Sequence, residues 1–310
     1  MYLVCGEALF DVFAAPADQS NRMNLEAVAG GSPFNVAIGL ARLGAPVALF
    51  AGLSRDPLGQ KLRTILRDEG VDPRYLVDFD APTTLAMVAV DANGSPTYSF
   101  RGEGCADRLP QTRHLAALSE RIRGIHVGSY TTVTAPIADT LLSLVRRESE
   151  RRLISFDPNI RLNVDPDLQR WRERVEAIAA QAHLIKVSDE DLGLLYPDET
   201  AAGIAQRWLS GRCELVLLTR GGDGAQLFSR RHGGLDAAAR TVAVCDTVGA
   251  GDTFQAALLG FLHDQGLDTP ATLARIRRDQ LQAMLEFAVE AAAITCSRRG
   301  PDLPYRYEFA

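Results

Sequence analysis

Short apolar runs alternate with amphipathic segments along most of the chain, and this alternation limits the possible folds more than any other feature of the sequence. Parallel strands joined by helical crossovers produce such a pattern, because each crossover returns the chain across one face of the sheet. The sequence therefore predicts an α/β fold with a mainly parallel central sheet between two layers of helices. The predicted strands of this sheet are residues 2–4, 47–51, 125–127, 153–156, 184–187, 215–219 and 241–245.

The clearest predicted helix lies between the first two of these strands. Ser32 is a preferred N-cap residue, and the proline that follows it suits the first helical position. Val36 and Leu40 recur on one face of the segment, and Gly44 marks its end. We expect a helix with one buried face between Ser32 and Gly44.

Two neighbouring segments interrupt the alternation. Residues 85–90 and 97–100 have the composition of strands, and the intervening D-A-N-G-S-P at 91–96 is a hairpin signal. Together with a segment early in the chain, they predict a small β-sheet lid formed by about residues 12–29 and 82–107, placed over the carboxyl ends of the parallel strands. An antiparallel extension of the main sheet is the alternative.

Composition and charge narrow the possible functions. The chain has 33 basic and 39 acidic side chains and a net charge of −6, without a long basic run, which argues against nucleic-acid binding. Its 46% hydrophobic and 23% charged residues suit a globular protein with a sizeable core. No shift in composition marks a linker, so we expect residues 1–310 to form one domain.

The cysteines and the first residues indicate where such a chain works. Five cysteines without a C-x-x-C pair suggest neither a disulfide framework nor a zinc site. The N-terminal segment lacks a basic region and contains Glu7 and Asp11, unlike a signal peptide, and no apolar run approaches 18 residues. We expect a cytoplasmic protein without a membrane partner.

A strand, a glycine turn and a helix follow one another near the last third of the chain. The sequence D-T-V-G-A-G-D-T-F at 246–254 precedes an apolar helical pattern, and Gly249 and Gly251 permit a tight turn. The amides of Ala250, Gly251 and Asp252 would then face one point at the positive end of the helix dipole. This arrangement predicts an anion site. The alternative is a simple turn in which Asp252 caps the helix.

If the anion is a phosphoryl group in transfer, Asp252 suits a second role. Such a reaction needs alignment, charge stabilisation and a carboxylate that orients and deprotonates the attacking hydroxyl. Because an ordinary aspartate has a pKa near ~3.9, the carboxylate would accept the proton late rather than form an alkoxide beforehand.

Several other enzyme classes lack their motifs here. The only lysines, Lys61 and Lys186, do not follow a glycine, which excludes the usual P-loop. No G-x-G-x-x-G follows the first strand, so a nicotinamide-dependent dehydrogenase has little support. The sequence also lacks H-x-x-x-H and G-x-S-x-G, the motifs of zinc peptidases and α/β-hydrolases.

Two segments closely resemble the two signatures of the ribokinase-like (PfkB) carbohydrate kinases. They are G-G-S-P-F-N-V-A at 30–37 and D-T-V-G-A-G-D at 246–252, and the resemblance extends over nearly the whole chain. G-E-A-L-F-D at 6–11, F-R-G-E-G-C-A-D-R at 100–108 and I-K-V-S-D-E-D-L at 185–192 look most like the fructokinase branch. The resemblance implies a central sheet flanked by helices, a β-sheet lid and ATP-dependent phosphorylation of a sugar hydroxyl.

The resemblance also implies roles for individual residues. Asp252 would be the catalytic base, the amides of Gly249, Ala250 and Gly251 would help to form the anion hole, and Arg161 would approach the transferring phosphate. The residues expected to bind the sugar are Asp11, Gly30, Gly31, Asn35, Arg101 and Asp252. The alternatives are an Asp11 at the surface, an Asn35 that bonds locally, and ordinary exposed arginines.

Nucleotide and cation sites follow from the same resemblance. The residues expected to bind ATP are Lys186, Ser188, Thr219, Gly221, Gly224, Gly249 and Gly251. Asp191 would help to hold Mg²⁺ through water, although glutamate is usual at that position, and the alternative for Ser188 is a plain helix cap. Backbone carbonyls near Asp246, Val248 and Gly300 would bind a monovalent cation such as K⁺, and the turn at 219–224 has a tight hairpin as its alternative.

These inferences together predict an ATP-dependent sugar kinase that phosphorylates the primary hydroxyl of a ketohexose, most simply D-fructose to fructose 6-phosphate. A 2-keto-3-deoxygluconate kinase is the nearest alternative, with Arg101 or Arg161 pairing with the substrate carboxylate. A ribose or nucleoside kinase, a sugar-binding sensor without catalysis, and a dehydrogenase are further alternatives. The expected partners are the sugar and ATP, with a possible homodimer through the lid.

Overall fold

The computed structural model describes residues 1–15, 21, 23–90, 96–115 and 117–309. Its strands are β1 (Tyr2–Cys5), β2 (Leu9–Ala15), β3 (Asn24–Gly30), β4 (Val47–Ser54), β5 (Leu76–Phe79), β6 (Leu85–Val90), β7 (Pro96–Arg101), β8 (Gly124–Gly128), β9 (Leu153–Asp157), β10 (Leu184–Ser188), β11 (Leu215–Thr219), β12 (Ala225–Ser229) and β13 (Gly233–Ala237). Its helices are α1 (Ser32–Arg42), α2 (Pro57–Asp68), α3 (Ile137–Glu148), α4 (Leu168–Ala179), α5 (Asp189–Leu195), α6 (Ala201–Leu209), α7 (Ala250–Asp264), α8 (Pro270–Leu273) and α9 (Arg278–Cys296).

The main sheet confirms the predicted α/β fold. In the described part of the chain it contains nine strands in the order β13-β12-β11-β10-β9-β8-β1-β4-β5. Seven of these strands, β5, β4, β1, β8, β9, β10 and β11, run parallel, and β12 and β13 add an antiparallel edge. The central strands β1, β4, β8 and β9 are buried along their whole length because apolar side chains pack on both faces of the sheet.

Six of the seven strands predicted for this sheet are present, and the seventh is wrong. Residues 241–245 form no strand and pair with none among the described residues, and the side chains of Val242 and Val244 are exposed. The sheet ends instead in the hairpin of β12 and β13. A loop, and not a strand, therefore leads into α7.

The first helix forms nearly as predicted, with its start shifted by one residue. Gly31, at φ 105°, is the N-cap, so Ser32 and the proline after it already belong to α1. Gly44, at φ 83°, follows the helix end, as the sequence indicates. Almost every residue of α1 up to Leu40 is buried, because the helix packs against both the sheet and α7.

The small separate sheet has the order β3-β2-β6-β7 and corresponds to the predicted lid. β2 pairs antiparallel with β3 and parallel with β6, and β6 pairs antiparallel with β7. The predicted hairpin loop at 91–95 and the part of the early lid segment at 16–20 and 22 lie outside the described residues. One edge of the lid is open, and most of β3 is exposed there.

The topology brings the signature segments to one edge of the main sheet. β1, β8, β9, β10 and β11 are parallel, so their carboxyl ends meet at the same edge, where the lid strand β2 begins shortly after β1. α1 and α7 lie side by side. Along the described ranges, no helix combines the length and apolar character that spanning a bilayer requires.

Candidate active site

The N-terminus of α7 contains the glycine turn for which the sequence predicts an anion site. Gly249 is the N-cap at φ 80°, and a Cβ atom there would lie 2.7 Å from Cβ of Pro301, so only glycine fits. The amide of Ala250 donates to the carbonyl of Thr247 at 3.2 Å and is used within the turn. No described residue accepts a hydrogen bond from the amides of Gly251 or Asp252, which remain available at the positive end of the 15-residue helix.

Asp252 is held by the other signature segment. The side-chain amide of Asn35 donates to Oδ2 of Asp252 at 2.8 Å, and both side chains are buried. Asn35 therefore bonds to a residue 217 positions away rather than locally. Within the described structure Oδ1 of Asp252 receives no hydrogen bond, so it is the oxygen free to accept a proton.

A buried ion pair lies beneath this helix end. Nζ of Lys186 lies 2.8 Å from Oδ2 of Asp157, and a Cβ atom at Gly251 would lie only 3.1 Å from the same Nζ. Burial by itself would lower the pKa of Lys186, but the carboxylates of Asp157, Asp191 and Asp252 outweigh it and raise this pKa. A permanent positive charge therefore supports the anion site from below.

Asp157 is a residue of this cluster to which the sequence analysis gave no role. It ends β9, and its Oδ1 is buried without a hydrogen-bond partner among the described residues. Its only signal in the sequence is its place at the end of a buried strand, next to the segment that leads to Arg161. Its pairing with Lys186 depends on β9 and β10 being neighbours, which the sequence does not state.

The loop after β9 is braced by the acidic helix α5. Ser188 caps α5 by accepting a hydrogen bond from the amide of Asp191 at 3.0 Å, as the capping alternative expects. Oδ1 of Asp191 accepts a hydrogen bond from the amide of Ile160 at 3.0 Å. Asp191 thus fixes the backbone beside Arg161, whose own guanidinium is exposed and donates to the carbonyl of Ile160 at 2.9 Å.

Asp11 faces the same space from the lid. Burial raises the pKa of Asp11 to about 6, the negative charge of Asp252 acts in the same direction, and the positive charge of Arg161 opposes them. Gly30 leaves room for the Asp11 carboxylate, since a Cβ atom at position 30 would lie 2.6 Å from Oδ2 of Asp11. Asp11 therefore lies against Gly30 and within electrostatic range of Arg161 and Asp252.

Buried Glu7 supports the turn at Gly31. A Cβ atom at Gly31 would lie 3.0 Å from the carbonyl oxygen of Glu7, which leaves space only for glycine at this positive φ. Burial raises the pKa of Glu7 to about 7, against hydrogen bonds from Ser129 and Thr131. The start of α1, next to the proposed sugar site, therefore packs against the buried residue Glu7.

Arg101 does not join this cluster. It ends β7 with an exposed side chain, and in the lid it aligns with Leu85 and Phe10. In the lid, Asp11 is the cross-strand neighbour of Ala86, and Ala86 is the cross-strand neighbour of Phe100. The ring of Phe100 contacts that of Tyr130, with 5.7 Å between centroids. Phe100 therefore shares a face with Asp11, and the sequence analysis gave it no role.

The predicted nucleotide turn lies between β11 and β12. Thr219 ends β11, Gly221 lies in the turn, and the strands pair antiparallel, so the hairpin alternative is confirmed as its geometry. Gly224 is buried, and a Cβ atom there would lie 2.2 Å from the carbonyl oxygen of Ala237. Beside it is a cavity of about 240 Å³ between the segment after β13 and helix α9, which contributes Val289.

The three residues predicted for a monovalent cation lie together. The carboxylate of Asp246 accepts hydrogen bonds from the amide of Val248 at 3.0 Å and from the amide of Gly300 at 2.9 Å. The amides of Cys245 and Asp246 both approach the carbonyl oxygen of Cys296, at 2.8 and 3.3 Å. The end of α9 is thereby joined to the loop that carries the anion site.

A mainly parallel sheet, a separate lid sheet and a helix whose first turn contains a buried, hydrogen-bonded carboxylate are together typical of the sugar phosphotransferases. The chain belongs to the pfkB family of carbohydrate kinases, since the profile of "pfkB family carbohydrate kinase" matches residues 1–306. This confirms the resemblance seen in the two signatures.

Relatives and solved structures agree with this assignment. The chain is 35% identical to the fructokinase of Rhizobium leguminosarum bv. trifolii over 283 residues, covering 91% of this chain and 86% of the relative. It is 33% identical to fructokinase-1 of Oryza sativa subsp. japonica, covering 90% and 86%. The crystal structure of a fructokinase with bound ATP from Xylella fastidiosa is similar at a TM-score of 0.88 and 28% identity, covering 96% and 92%.

Proposed function

We propose that this carbohydrate kinase transfers the γ-phosphoryl group of ATP to the primary hydroxyl of D-fructose and forms fructose 6-phosphate. The observation that carries the proposal is the position of Asp252, which lies in the first turn of α7, accepts a hydrogen bond from Asn35 and interacts electrostatically with Asp11. The fructokinase names of the relatives support fructose as the acceptor.

The proposed proton transfer uses the free oxygen of Asp252. Asn35 occupies Oδ2, so the sugar hydroxyl would donate its hydrogen bond to Oδ1 and pass its proton there late in the attack. Charge that develops on the transferring group would be stabilised by the amides of Gly251 and Asp252 and by Lys186 below them. Arg161, across the space from Asp252, would approach the same phosphoryl group from the sugar side.

The nucleotide would lie along the line from the anion site to the cavity beside Gly224. Its phosphates would contact Gly249 and Gly251, and its base would enter the cavity of about 240 Å³ near Val289. Val242 and Val244 support this placement, because they expose apolar side chains on the segment that joins the two places. Thr219 and Gly221 would form the opposite wall.

The proposed cations are Mg²⁺ with ATP and a monovalent ion such as K⁺. No group of three or more potential ligands from His, Cys, Asp or Glu lies within the described portion of the structure, so Mg²⁺ would depend largely on phosphate oxygens and water. The orphaned Oδ1 of Asp157 and the carboxylate of Asp191 suit this hard cation. When bound, Mg²⁺ would neutralise charge on the phosphates, and K⁺ would suit the carbonyls near Asp246, Val248 and Gly300.

The open lid edge supports a homodimer. Met23, just before β3, and Leu25, in β3, are 72% and 51% exposed, which is unusual for large apolar side chains at a strand edge. A second copy of the chain would cover them by lid-to-lid contact. We place this dimer in the cytoplasm, in agreement with the cysteines and with the sugar and ATP as substrates.

The test is ADP release from Mg-ATP with fructose, glucose, ribose, 2-keto-3-deoxygluconate and adenosine, with and without potassium. Selective turnover of fructose supports the proposal. Preference for the keto acid would contradict it and assign Arg161 to a substrate carboxylate. The Asp252→Asn variant is the control, because it keeps the shape of the site and removes the base.

A further inference from the structure

A second cavity, of about 470 Å³, lies beside the segment through which the chain leaves the lid, residues 102–109. Its wall includes Glu103 and Arg108 from that segment, and Asp165 from the loop after β9. None of the residues assigned above to the sugar, the nucleotide or the cations lines it. Its volume lies within the range of pockets that bind small metabolites.

The guanidinium of Arg108 is the unsatisfied group of this cavity. Its Nε is buried without a hydrogen-bond partner, and in the described ranges no acceptor bonds to its other nitrogens. It lies over the ring of Tyr130, with 5.4 Å from Cζ to the ring centroid. The neighbouring carboxylate of Asp107 does not pair with it, because Asp107 accepts hydrogen bonds from the hydroxyls of Thr84 and Tyr130.

The other arginines of the wall already have carboxylate partners. Arg170 pairs with Asp165 at 2.5 Å, and Arg174 pairs with Asp139 at 2.5 Å. Arg108 is therefore the wall cation that still needs an anion, and a charge-assisted hydrogen bond to a phosphoryl group would satisfy it.

The rest of the wall suits the hydroxyl groups and the ring of a sugar. The exposed carboxylate of Glu103 is an acceptor for hydroxyl groups. The oxygens of Asp165 each accept one hydrogen bond already, from the amide of Asp167 and from Arg170, and each keeps a further lone pair. The hydroxyl of Thr134 is a further polar group. Leu109 and Val133 add apolar surface for the carbon face of a ring. The two acids would bind the hydroxyl groups that a phosphorylated sugar carries and that a simple anion lacks.

We propose that this cavity is a regulatory site for a sugar phosphate, with the phosphoryl group on Arg108 and the sugar hydroxyls on Glu103 and Asp165. The regulatory part rests on the proposed function, because a sugar phosphate is the class of product that this kinase would form. The binding part does not depend on which sugar is the acceptor.

Arg108 links this site to the lid. The guanidinium lies against Gly102, since a Cβ atom at position 102 would lie 2.3 Å from Nη2 of Arg108. Gly102 directly follows the last lid residue, Arg101. A ligand that fixes the Arg108 side chain would therefore restrict the backbone around which the lid must move, and would slow turnover rather than compete with the acceptor.

The binding test uses glucose 6-phosphate as the probe in isothermal titration calorimetry, without ATP. We expect at least about tenfold weaker binding to Arg108→Gln, because one charge-assisted interaction is lost. Arg113→Gln, which changes an exposed arginine outside the cavity, is the matched control and should bind like the unmodified protein. Asp11→Asn should also leave this binding intact, since Asp11 belongs to the other site.

Two binding results would overturn the proposal. One is equal binding of the probe by Arg108→Gln and the unmodified protein. The other is loss of binding in Asp11→Asn together with full binding in Arg108→Gln, which would place the probe in the acceptor site. Because these measurements need no turnover, they still test the binding site if fructose is not the acceptor.

The activity test follows turnover of the acceptor that the enzyme prefers, at several concentrations of glucose 6-phosphate. In the unmodified protein we expect kcat to fall without a matching rise in KM, and in Arg108→Gln we expect the basal kcat to be kept and the inhibition to disappear. Purely competitive inhibition of equal strength in both proteins would refute the regulatory site.

Discussion

The two halves of the active site are built differently. The phosphate half, formed by the N-terminus of α7 and the Asp157–Lys186 pair, rests on the buried strands of the main sheet. The proposed sugar half depends on Asp11, which lies in the lid. We expect the half that is built on the buried strands to control kcat, and the half that depends on the lid to control KM for the sugar.

The largest effect expected is in the phosphate half, for Asp252→Asn. The amide keeps the shape of the side chain but cannot accept the hydroxyl proton, so kcat should fall about 10³-fold. KM for fructose should change by less than about threefold if positioning and proton transfer are separate. Steady-state kinetics and a thermal unfolding curve, as the folding control, measure both. A variant with normal kcat would remove Asp252 from the role of base.

The buried ion pair gives the next largest effect. Lys186→Met should lower kcat about 100-fold, because it removes the positive charge below the anion site. It should also cost about 3–5 kcal/mol of unfolding free energy, since Asp157 is left buried and unpaired. Denaturant unfolding and steady-state kinetics separate the two losses.

The double variant Lys186→Met with Asp157→Asn sharpens this prediction. It removes both charges, so we expect it to recover much of the lost stability but not the lost kcat. If stability and kcat both recovered, the ion pair would serve only the fold. The phosphate half would then lose its proposed control of kcat through Lys186.

The sequence predicted the local parts of the site and missed the pairings between distant segments. The turn at Gly249 and the helix after it could be predicted from consecutive residues, because glycine turns and helix periodicity are local features of a sequence. The pairing of Lys186 with Asp157 needs β9 beside β10, and the bond from Asn35 to Asp252 needs α1 beside α7. Neither neighbour relation can be read from local patterns.

The errors of the sequence analysis have equally physical causes. Residues 241–245 have the composition of a strand, but the antiparallel hairpin of β12 and β13 takes the sheet edge. Strand register also aligns Phe100 with Asp11, a neighbour that the sequence analysis did not identify, and the placement of Arg101 in the sugar site stays a prediction. A shift of one residue reverses the face of a strand, and composition does not fix it.

The sugar half should respond to pH through Asp11. Its folded pKa of about 6 lies above the ordinary value of 3.8, so the folded protein takes up this proton as the pH falls through about 6. The neutral carboxyl group is a weaker acceptor for sugar hydroxyls. KM for fructose should therefore rise by about tenfold between pH 7 and pH 5, with a smaller change in kcat.

Asp11→Asn is the variant that checks this assignment. Its KM at pH 7 should already be about tenfold higher, and the rise of KM below pH 6 should disappear. Because burial disfavours the charged form in the folded state, the variant should also have a higher free energy of unfolding at pH 7. A KM profile that keeps the same dependence on pH would assign it to another group.

The smallest effect is expected at the open edge of the lid. Leu25→Ser removes an exposed apolar side chain from β3 and should shift the protein from dimer to monomer in sedimentation measurements, with little change in the unfolding temperature. Leu194→Ser, at a leucine 40% exposed on α5, is the matched control. If the lid is steadied by its partner, KM for fructose should rise about twofold in Leu25→Ser while kcat is kept. A dimer that survives this change would contradict the proposed contact through Leu25. A monomer with an unchanged KM would show that the sugar half is complete within one chain.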